Sequence, residues 1–217
     1  GITWHPGGRT VAFVADRASD ADVERRPAVW AVDVDAGPRS RRSVPRPVLV
    51  AAGGASRPAY SPDGRWIAAV GVLADQPLDD VSPGLLLGPS DGARPPWDLT
   101  PALDRPIGNW TDTDLDGWMV TGRTGPIWLD ESTIAAVVTD RGRSLPERWT
   151  IDPIAGVCLH GPTASQRFAD GPWADATTTA IAALSEGCVA TLGTLGGRAV
   201  ELMDVDLTAE PWERRFR

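Results

Sequence analysis

The sequence predicts an all-β protein built from repeated four-stranded antiparallel sheets. The chain has 217 residues, of which 23 are Gly and 20 are Pro. Because these residues are spread along the chain, they favour many short strands joined by turns and exclude a helical bundle. One segment also recurs along the chain, and the strand after its turn is apolar at consecutive positions. Such a strand is typical of a sheet with both faces covered.

The recurring segment consists of a strand, a tight turn and a second strand. Residues 2–17 (ITWHPGGRTVAFVADR) match residues 58–73 (PAYSPDGRWIAAVGVL) at a constant offset of 56 positions, so that Trp4 matches Tyr60. In the second copy, Pro presets φ and the Asp-Gly pair tolerates a positive φ, which lets the chain reverse tightly.

Two further copies complete the repeat. Residues 126–142 (PIWLDESTIAAVVTDRG) have a turn one residue shorter, in which Asp130 stands where the other copies have Pro. A short apolar motif marks each copy, and it begins at Val11, Ile67, Ile134 and Ile181. Four copies at this spacing indicate repeated structural units. In the fourth unit, either residues 180–183 or residues 188–191 are candidates for the second strand.

Each unit continues with a third and a fourth strand. The third strands are predicted at residues 30–33, 85–87, 149–152 and 201–204, and the fourth strands at residues 47–51, 97–100, 157–160 and 212–216. Small sheets stacked face to face around an axis form a β-propeller, which covers both faces of each sheet. The alternative, a β-sandwich, predicts neither the long repeat nor doubly buried strands. The predicted blades are residues 1–52, 53–100, 125–160 and 165–217, with an insertion at 101–124.

Several segments resemble the N-terminal propeller of the prolyl oligopeptidase family, and most of all its acylaminoacyl-peptidase branch. They are PAYSPDGRWIAAV, WDLTPALDRPIG and GPIWLDESTIAAVVTDRGRSLPERWTIDPIAG, the last of which includes the Asp-Arg-Gly run at residues 140–142. The resemblance covers essentially the whole chain, and it is strongest over residues 57–156. It implies a ring of about seven or eight blades, of which this chain supplies about four.

The resemblance also implies a function. In that family the propeller caps an α/β-hydrolase domain with a Ser-Asp-His triad, restricts access to it and selects short peptides. This chain has no Gly-x-Ser-x-Gly motif, and His5 and His160 match no catalytic His of the family. We therefore expect no catalytic residue here, with a hydrolase domain of the same parent chain and short peptides as partners. Open blade edges also predict self-association. The alternative is a Tol-like or WD-like scaffold without a hydrolase.

Composition excludes other classes of function. All 21 basic residues are Arg, so no Lys is present for a Schiff base or a P-loop. The net charge of -8 argues against nucleic-acid binding, and no apolar run is long enough for a membrane helix. Cys158 and Cys188 do not form a disulfide framework and favour reduced thiols in a cytoplasmic protein. A zinc site that joins them with His5 and His160 is disfavoured by the close spacing of Cys158 and His160.

Two other segments are candidates for binding. Asp112, Asp114 and Asp116 precede Gly as in the first half of a calcium loop, but the later ligand positions of that loop are not acidic. We therefore predict a solvated acidic insertion, with no cofactor or metal. The Arg-rich segment 39–46 is predicted to be a solvated face, with an acidic partner as the alternative.

The Trp residues divide into two groups by position. Trp4, Trp66, Trp128 and Trp149 occupy repeat positions, and we expect them in the core between blades. Trp110, Trp118 and Trp173 lie outside those positions and are candidates for an interface.

Overall fold

The structure is a computed structural model. It describes residues 1–34, 43–76, 82–111, 125–162, 176–185, 188–195, 201–208 and 213–216. These residues contain sixteen strands and no helix, which confirms the predicted all-β, propeller-like fold. The chain divides into two compact units, residues 1–99 and 100–217. Within the described ranges, no helix has the length and apolar character needed to cross a membrane.

The first unit contains two four-stranded antiparallel sheets, each with its strands in chain order. The strands of the first sheet are β1 (Ile2–Trp4), β2 (Thr10–Ala15), β3 (Ala28–Asp33) and β4 (Arg46–Leu49). The strands of the second sheet are β5 (Ala55–Tyr60), β6 (Trp66–Gly71), β7 (Gly84–Pro89) and β8 (Trp97–Asp98). The turns between the first and second strands contain Gly8 and Gly64, with φ of 70° and 75°. Both residues need the positive φ that Gly adopts without a steric cost.

The second unit contains two antiparallel groups of four strands. The strands of the third sheet are β9 (Ile127–Trp128), β10 (Thr133–Asp140), β11 (Arg143–Ile151) and β12 (Cys158–His160). The strands of the fourth sheet are β13 (Ala176–Ser185), β14 (Cys188–Leu195), β15 (Glu201–Asp206) and β16 (Glu213–Phe216). One parallel pair, Ser144 with Thr177, connects β11 to β13 and joins the two groups into a continuous sheet.

Each sheet has two faces, which we name by the first strand. The front face is the side that carries Trp4 in the first sheet, Tyr60 in the second, Trp128 in the third and Val189 in the fourth. The back face is the opposite side. In the first unit, the front face of the second sheet packs on the back face of the first. The buried residues of this core are Ala12, Val29, Ala31, Val48, Leu49, Ala51, Ala55, Tyr60, Ile67, Ala69 and Leu86. The five Ala residues among them allow the two sheets to approach closely.

The core of the second unit has the same arrangement. Ala135 and Val137, on the back face of the third sheet, pack against the front face of the fourth sheet. That front face contributes Ile181, Val189, Val205 and Leu207. The consecutive apolar residues of β10, from Ile134 to Val138, are buried on both faces of the strand, as the sequence indicated.

One prediction from the repeat is wrong, and one alternative that the sequence left open is decided by the structure. Trp4 is 57% exposed, although Trp66, Trp128 and Trp149 are buried as expected. Trp4 lies on a front face that no described sheet covers. Ile181 lies in β13, a first strand, whereas the other copies of its motif lie in second strands. The second strand of the fourth sheet is therefore the alternative that contains residues 188–191. A buried first strand can be as apolar as a second strand, so the motif alone did not distinguish them.

Candidate functional site

The candidate site lies at the edge of the third sheet where its first strand is split. β9 pairs only with Ile134 and Ala135 of β10. Beyond it, the Gly108 amide donates to the Val137 carbonyl at 2.7 Å, and the Thr139 amide donates to the Pro106 carbonyl at 3.1 Å. Residues 106–108 thus continue the first-strand position by backbone hydrogen bonds. The calcium candidates Asp112, Asp114 and Asp116 lie outside the described residues.

Polar side chains fix residues 105–111 to the sheet. We name this group the edge cluster; its members are Arg105, Asn109, Thr139, Asp140 and Ser144. The Asn109 amide oxygen accepts hydrogen bonds from the Ser144 hydroxyl at 2.6 Å and from the Thr111 amide at 2.9 Å. Asn109, Asp140 and Ser144 are buried, so these bonds satisfy groups that would otherwise be costly to bury.

An ion pair completes the edge cluster. The Arg105 guanidinium donates from Nε to the Asp140 carboxylate. The Asp140 side chain is 5% exposed and that of Arg105 is 27% exposed. A buried carboxylate is tolerated when it is paired in this way, and loss of its partner is strongly destabilising. Asp140 belongs to the Asp-Arg-Gly run noted in the sequence, and its pairing gives that acidic residue a structural role.

The edge cluster presents one aromatic side chain to solvent. Trp110 is 48% exposed, in agreement with the sequence-based expectation. Its indole N–H donates to the Ile107 carbonyl at 3.2 Å, and its amide donates to the Thr139 hydroxyl at 3.0 Å. The ring is therefore held in one orientation while its face remains accessible. Trp118 and Trp173 lie outside the described residues.

The side chains of the edge cluster hold residues 105–111 in position on the sheet. The Ser144 hydroxyl is bonded to an amide oxygen, which is no general base, and it is fully buried. A nucleophilic Ser needs a base such as His within hydrogen-bond distance. Among the described residues, no group of three His, Cys, Asp or Glu converges to hold a metal ion.

Both His residues make contacts within the described sheets. The His5 Nδ1 accepts the Gly7 amide at 3.0 Å, so Nε2 carries the proton and donates to the Gly64 carbonyl at 3.2 Å. Its ring also contacts the edge of Tyr60, with the ring centroids 5.0 Å apart. His5 thus connects the turns of the first two sheets. His160 lies in β12, where its carbonyl accepts from the Cys158 thiol.

Local contacts shift the pKa of several groups. Burial raises the pKa of the Asp130 carboxyl, but hydrogen bonds from Ser132 and Thr133 outweigh it and leave that pKa below its usual value. At the position where the other turns have Pro, Asp130 thus supplies a carboxylate that accepts hydrogen bonds and orders the turn. Burial raises the pKa of the Cys158 thiol and that of the Tyr60 hydroxyl. Neither Cys158 nor Cys188 forms a disulfide.

Of the Arg-rich segment 39–46, the structure describes residues 43–46. Arg46 donates from Nη1 to the Asp91 carbonyl at 3.2 Å, a contact between β4 and the turn that follows β7. Arg39, Arg41 and Arg42 lie outside the described residues.

These sheets define the class of protein as all-β and propeller-like. The chain is similar in structure to a puromycin-hydrolyzing peptidase from Mycobacterium tuberculosis, with a TM-score of 0.61 and 17% identity. It is also similar to a puromycin hydrolase, with a TM-score of 0.59 and 17% identity. Each alignment covers 100% of this chain and 28% of the hydrolase, so the chain spans less than a third of those proteins.

A third similar structure is TolB from Acinetobacter baumannii, with a TM-score of 0.52 and 14% identity over 100% of this chain and 43% of that chain. At such identities the likeness shows a shared fold. At the level of sequence, no family model and no curated protein matches the chain.

Proposed function

We propose that this chain is the non-catalytic propeller portion of a serine peptidase of the prolyl oligopeptidase family, similar to acylaminoacyl-peptidase. The observation that carries the proposal is the fold shared over the whole chain with two puromycin-hydrolysing enzymes, together with the family-like motifs. The triad would belong to an α/β-hydrolase domain of the same polypeptide. The blade boundaries, the ring of about seven or eight blades and the cytoplasmic location remain part of this proposal.

The role of the propeller is to admit short peptides to the active site of the hydrolase domain and to keep longer chains out. In a ring of sheets, one edge strand of each sheet borders the central channel. We assign that position to the first strands, which places the edge cluster of the third sheet beside the channel. The rigid Trp110 ring and the anchored segment 105–111 would then narrow the opening. Their hydrogen bonds keep this backbone in place, which is what a size filter requires.

The test compares two substrates on the complete polypeptide that contains this chain. A blocked dipeptide amide should be cleaved, and a long unstructured polypeptide should be cleaved poorly. Asp140→Asn should raise kcat/KM for the long substrate relative to the short one, because it releases the Arg105 anchor. Arg148→Gln, at a half-buried position of β11 opposite Ala135 and outside the edge cluster, is the control and should leave the ratio unchanged. An unchanged ratio in Asp140→Asn argues against gating by this edge.

A scaffold without hydrolase activity is the second candidate, favoured by the structural similarity to TolB. The two proposals differ in one measurable property. A fluorophosphonate probe reacts with an activated Ser, so it should label the complete polypeptide of a serine peptidase. The isolated 217-residue chain should remain unlabelled in both cases. No labelling of a folded, complete polypeptide would favour the scaffold.

A further inference from the structure

At two half-buried tryptophans the chain covers the indole ring with one of its own arginines. The Arg17 guanidinium lies 5.0 Å from the centre of the Trp30 ring, and the Arg94 guanidinium lies 5.2 Å from the centre of the Trp97 ring. Trp110 is 48% exposed, and none of these cation–π contacts among the described residues involves it. Its ring face is therefore accessible to a ligand in a way that the other two are not.

Trp110 also differs from Trp4, which is exposed as well. Trp4 occupies a core position of the repeat, because its equivalent Tyr60 is buried between two sheets. Trp110 lies outside the repeat positions, so packing between sheets gives no reason for an aromatic residue there. A solvent-facing aromatic residue without a packing role is typical of a binding site, since such side chains provide much of the energy of recognition.

Hydrogen bonds prepare the Trp110 ring for contact with an apolar group. The indole N–H is the only donor of the side chain, and it donates to the Ile107 carbonyl at 3.2 Å. The Trp110 amide donates to the Thr139 hydroxyl at 3.0 Å, and that hydroxyl donates to the Gly108 carbonyl at 2.7 Å. The side chain thus offers a ligand its apolar face and no polar group. Because the ring is already held in place, binding to it costs little side-chain entropy.

The charged groups of the same segment favour an uncharged ligand. The Arg105 Nη1 lies 3.4 Å from the Asp104 carboxylate, and the Arg105 Nε contacts the Asp140 carboxylate. The Arg141 Nε lies 4.0 Å from the second oxygen of Asp140. Two arginines therefore balance two aspartates, and an ionic ligand gains no net attraction from this group of charges. A flat, uncharged ring gains the aromatic contact without the desolvation cost of an ion.

We propose that Trp110 is a specificity-determining residue that stacks on an aromatic side chain of a short peptide substrate. This inference rests on the proposed function, in which substrate peptides pass the first-strand edge of the third sheet. Contacts between aromatic rings are more favourable than the burial of the same area alone, so the site distinguishes Phe from an aliphatic residue such as Leu. Trp110 thus selects peptides by side chain, in addition to the selection by length.

The test measures kcat/KM of the complete polypeptide for blocked tetrapeptide amides in which one Phe occupies each position in turn, with Leu there in the matched peptide. At one position Phe should be favoured by about twofold to tenfold, and this preference should depend on Trp110. Trp110→Leu and Trp110→Met, two non-aromatic replacements, should abolish it, whereas Trp110→Phe should retain part of it. Leu159→Ala is the control, because Leu159 is 54% exposed in β12, a different strand of the same sheet. It should leave the preference unchanged.

A binding measurement separates this inference from the proposed function. If the folded, complete polypeptide cleaves none of the peptides, the proposed function fails, and fluorescence anisotropy with the same labelled peptides then measures binding. Tighter binding of one Phe peptide that is lost in Trp110→Leu would still support the stacking site. Cleavage or binding with the same preference in Trp110→Leu and Trp110→Met, or with no preference at any position, overturns it. A preference for Arg or Lys peptides that depends on Trp110 would assign the ring to cations, and it overturns the proposal as well.

Discussion

The contact between His5 and Gly64 makes a quantitative prediction possible. A Cβ added at Gly64 would lie 2.3 Å from the His5 Nε2, and Gly64 has a φ of 75°. Gly8 is its repeat equivalent, with a φ of 70° and no atom within 4 Å of the added Cβ. Gly8→Ala therefore incurs the backbone strain alone, about 1–2 kcal/mol. Gly64→Ala incurs the same strain and also displaces His5.

The displacement of His5 has an estimable cost. The ring would lose its hydrogen bond to the Gly64 carbonyl, worth about 0.5–1.5 kcal/mol, and its edge contact with Tyr60, worth about 0.5–1.5 kcal/mol. We expect Gly64→Ala to lower the free energy of unfolding by about 2–5 kcal/mol in total, and by about 1–3 kcal/mol more than Gly8→Ala.

Urea denaturation, followed by far-ultraviolet circular dichroism, measures both variants under the same conditions. The double variant His5→Ala/Gly64→Ala removes the clash, so the two substitutions should together cost less than the sum of their separate effects. Equal losses in Gly64→Ala and Gly8→Ala would refute the reasoning. So would strict additivity in the double variant, because it would show that His5 is not the group that opposes the new methyl.

Three other predictions follow from the second unit. Asp140→Asn should lower the free energy of unfolding by about 2–3 kcal/mol, since the Arg105 Nε loses its buried charged acceptor and the guanidinium keeps only its contacts with Asp104. Hydrogen exchange should then show faster exchange of the Gly108 amide. Folding lowers the pKa of Asp130, so its ionised carboxylate stabilises the fold above the usual Asp pKa, and this stabilisation is lost as pH falls through the folded pKa. In thermal unfolding, the stability difference between the unmodified chain and Asp130→Asn should therefore shrink in that acidic range. The raised pKa of Cys158 should slow its alkylation by iodoacetamide at neutral pH, measured by peptide mass spectrometry against a free-cysteine peptide.

Local residue patterns predicted the first two strands and the turn of the first three sheets. The Pro-Asp-Gly turn predicted a positive φ at Gly64, and the apolar run at Ile67 predicted a strand covered on both sides. The repeat also predicted that Trp66, Trp128 and Trp149 are buried. It did not predict the exposure of Trp4, because equivalence in a repeat specifies which face a side chain occupies and gives no information about whether another sheet covers that face.

The candidate site was harder to predict from the sequence. Residues 106–108 join the third sheet by backbone hydrogen bonds over a stretch too short to show strand periodicity. Asn109 and Ser144 are separated by 35 positions, as are Arg105 and Asp140, and each pair meets only in the folded sheet. Two family-like segments carried a signal, since the Asp-Arg-Gly run contains Asp140 and WDLTPALDRPIG contains Arg105, but the sequence did not show that the two residues pair.

The equivalent positions Gly8 and Gly64 show how a neighbouring sheet changes the surroundings of a repeat position. Both glycines have the same turn conformation, yet His5 of the first sheet occupies the space beside Gly64 and nothing described occupies the space beside Gly8. The same contrast separates Tyr60, which is buried, from Trp4, which is exposed. In both pairs the difference comes from the neighbouring sheet, because the local sequence pattern and backbone are alike. Whether a repeat position is buried therefore depends on the sheet that packs against its face, and the local sequence pattern does not specify that sheet.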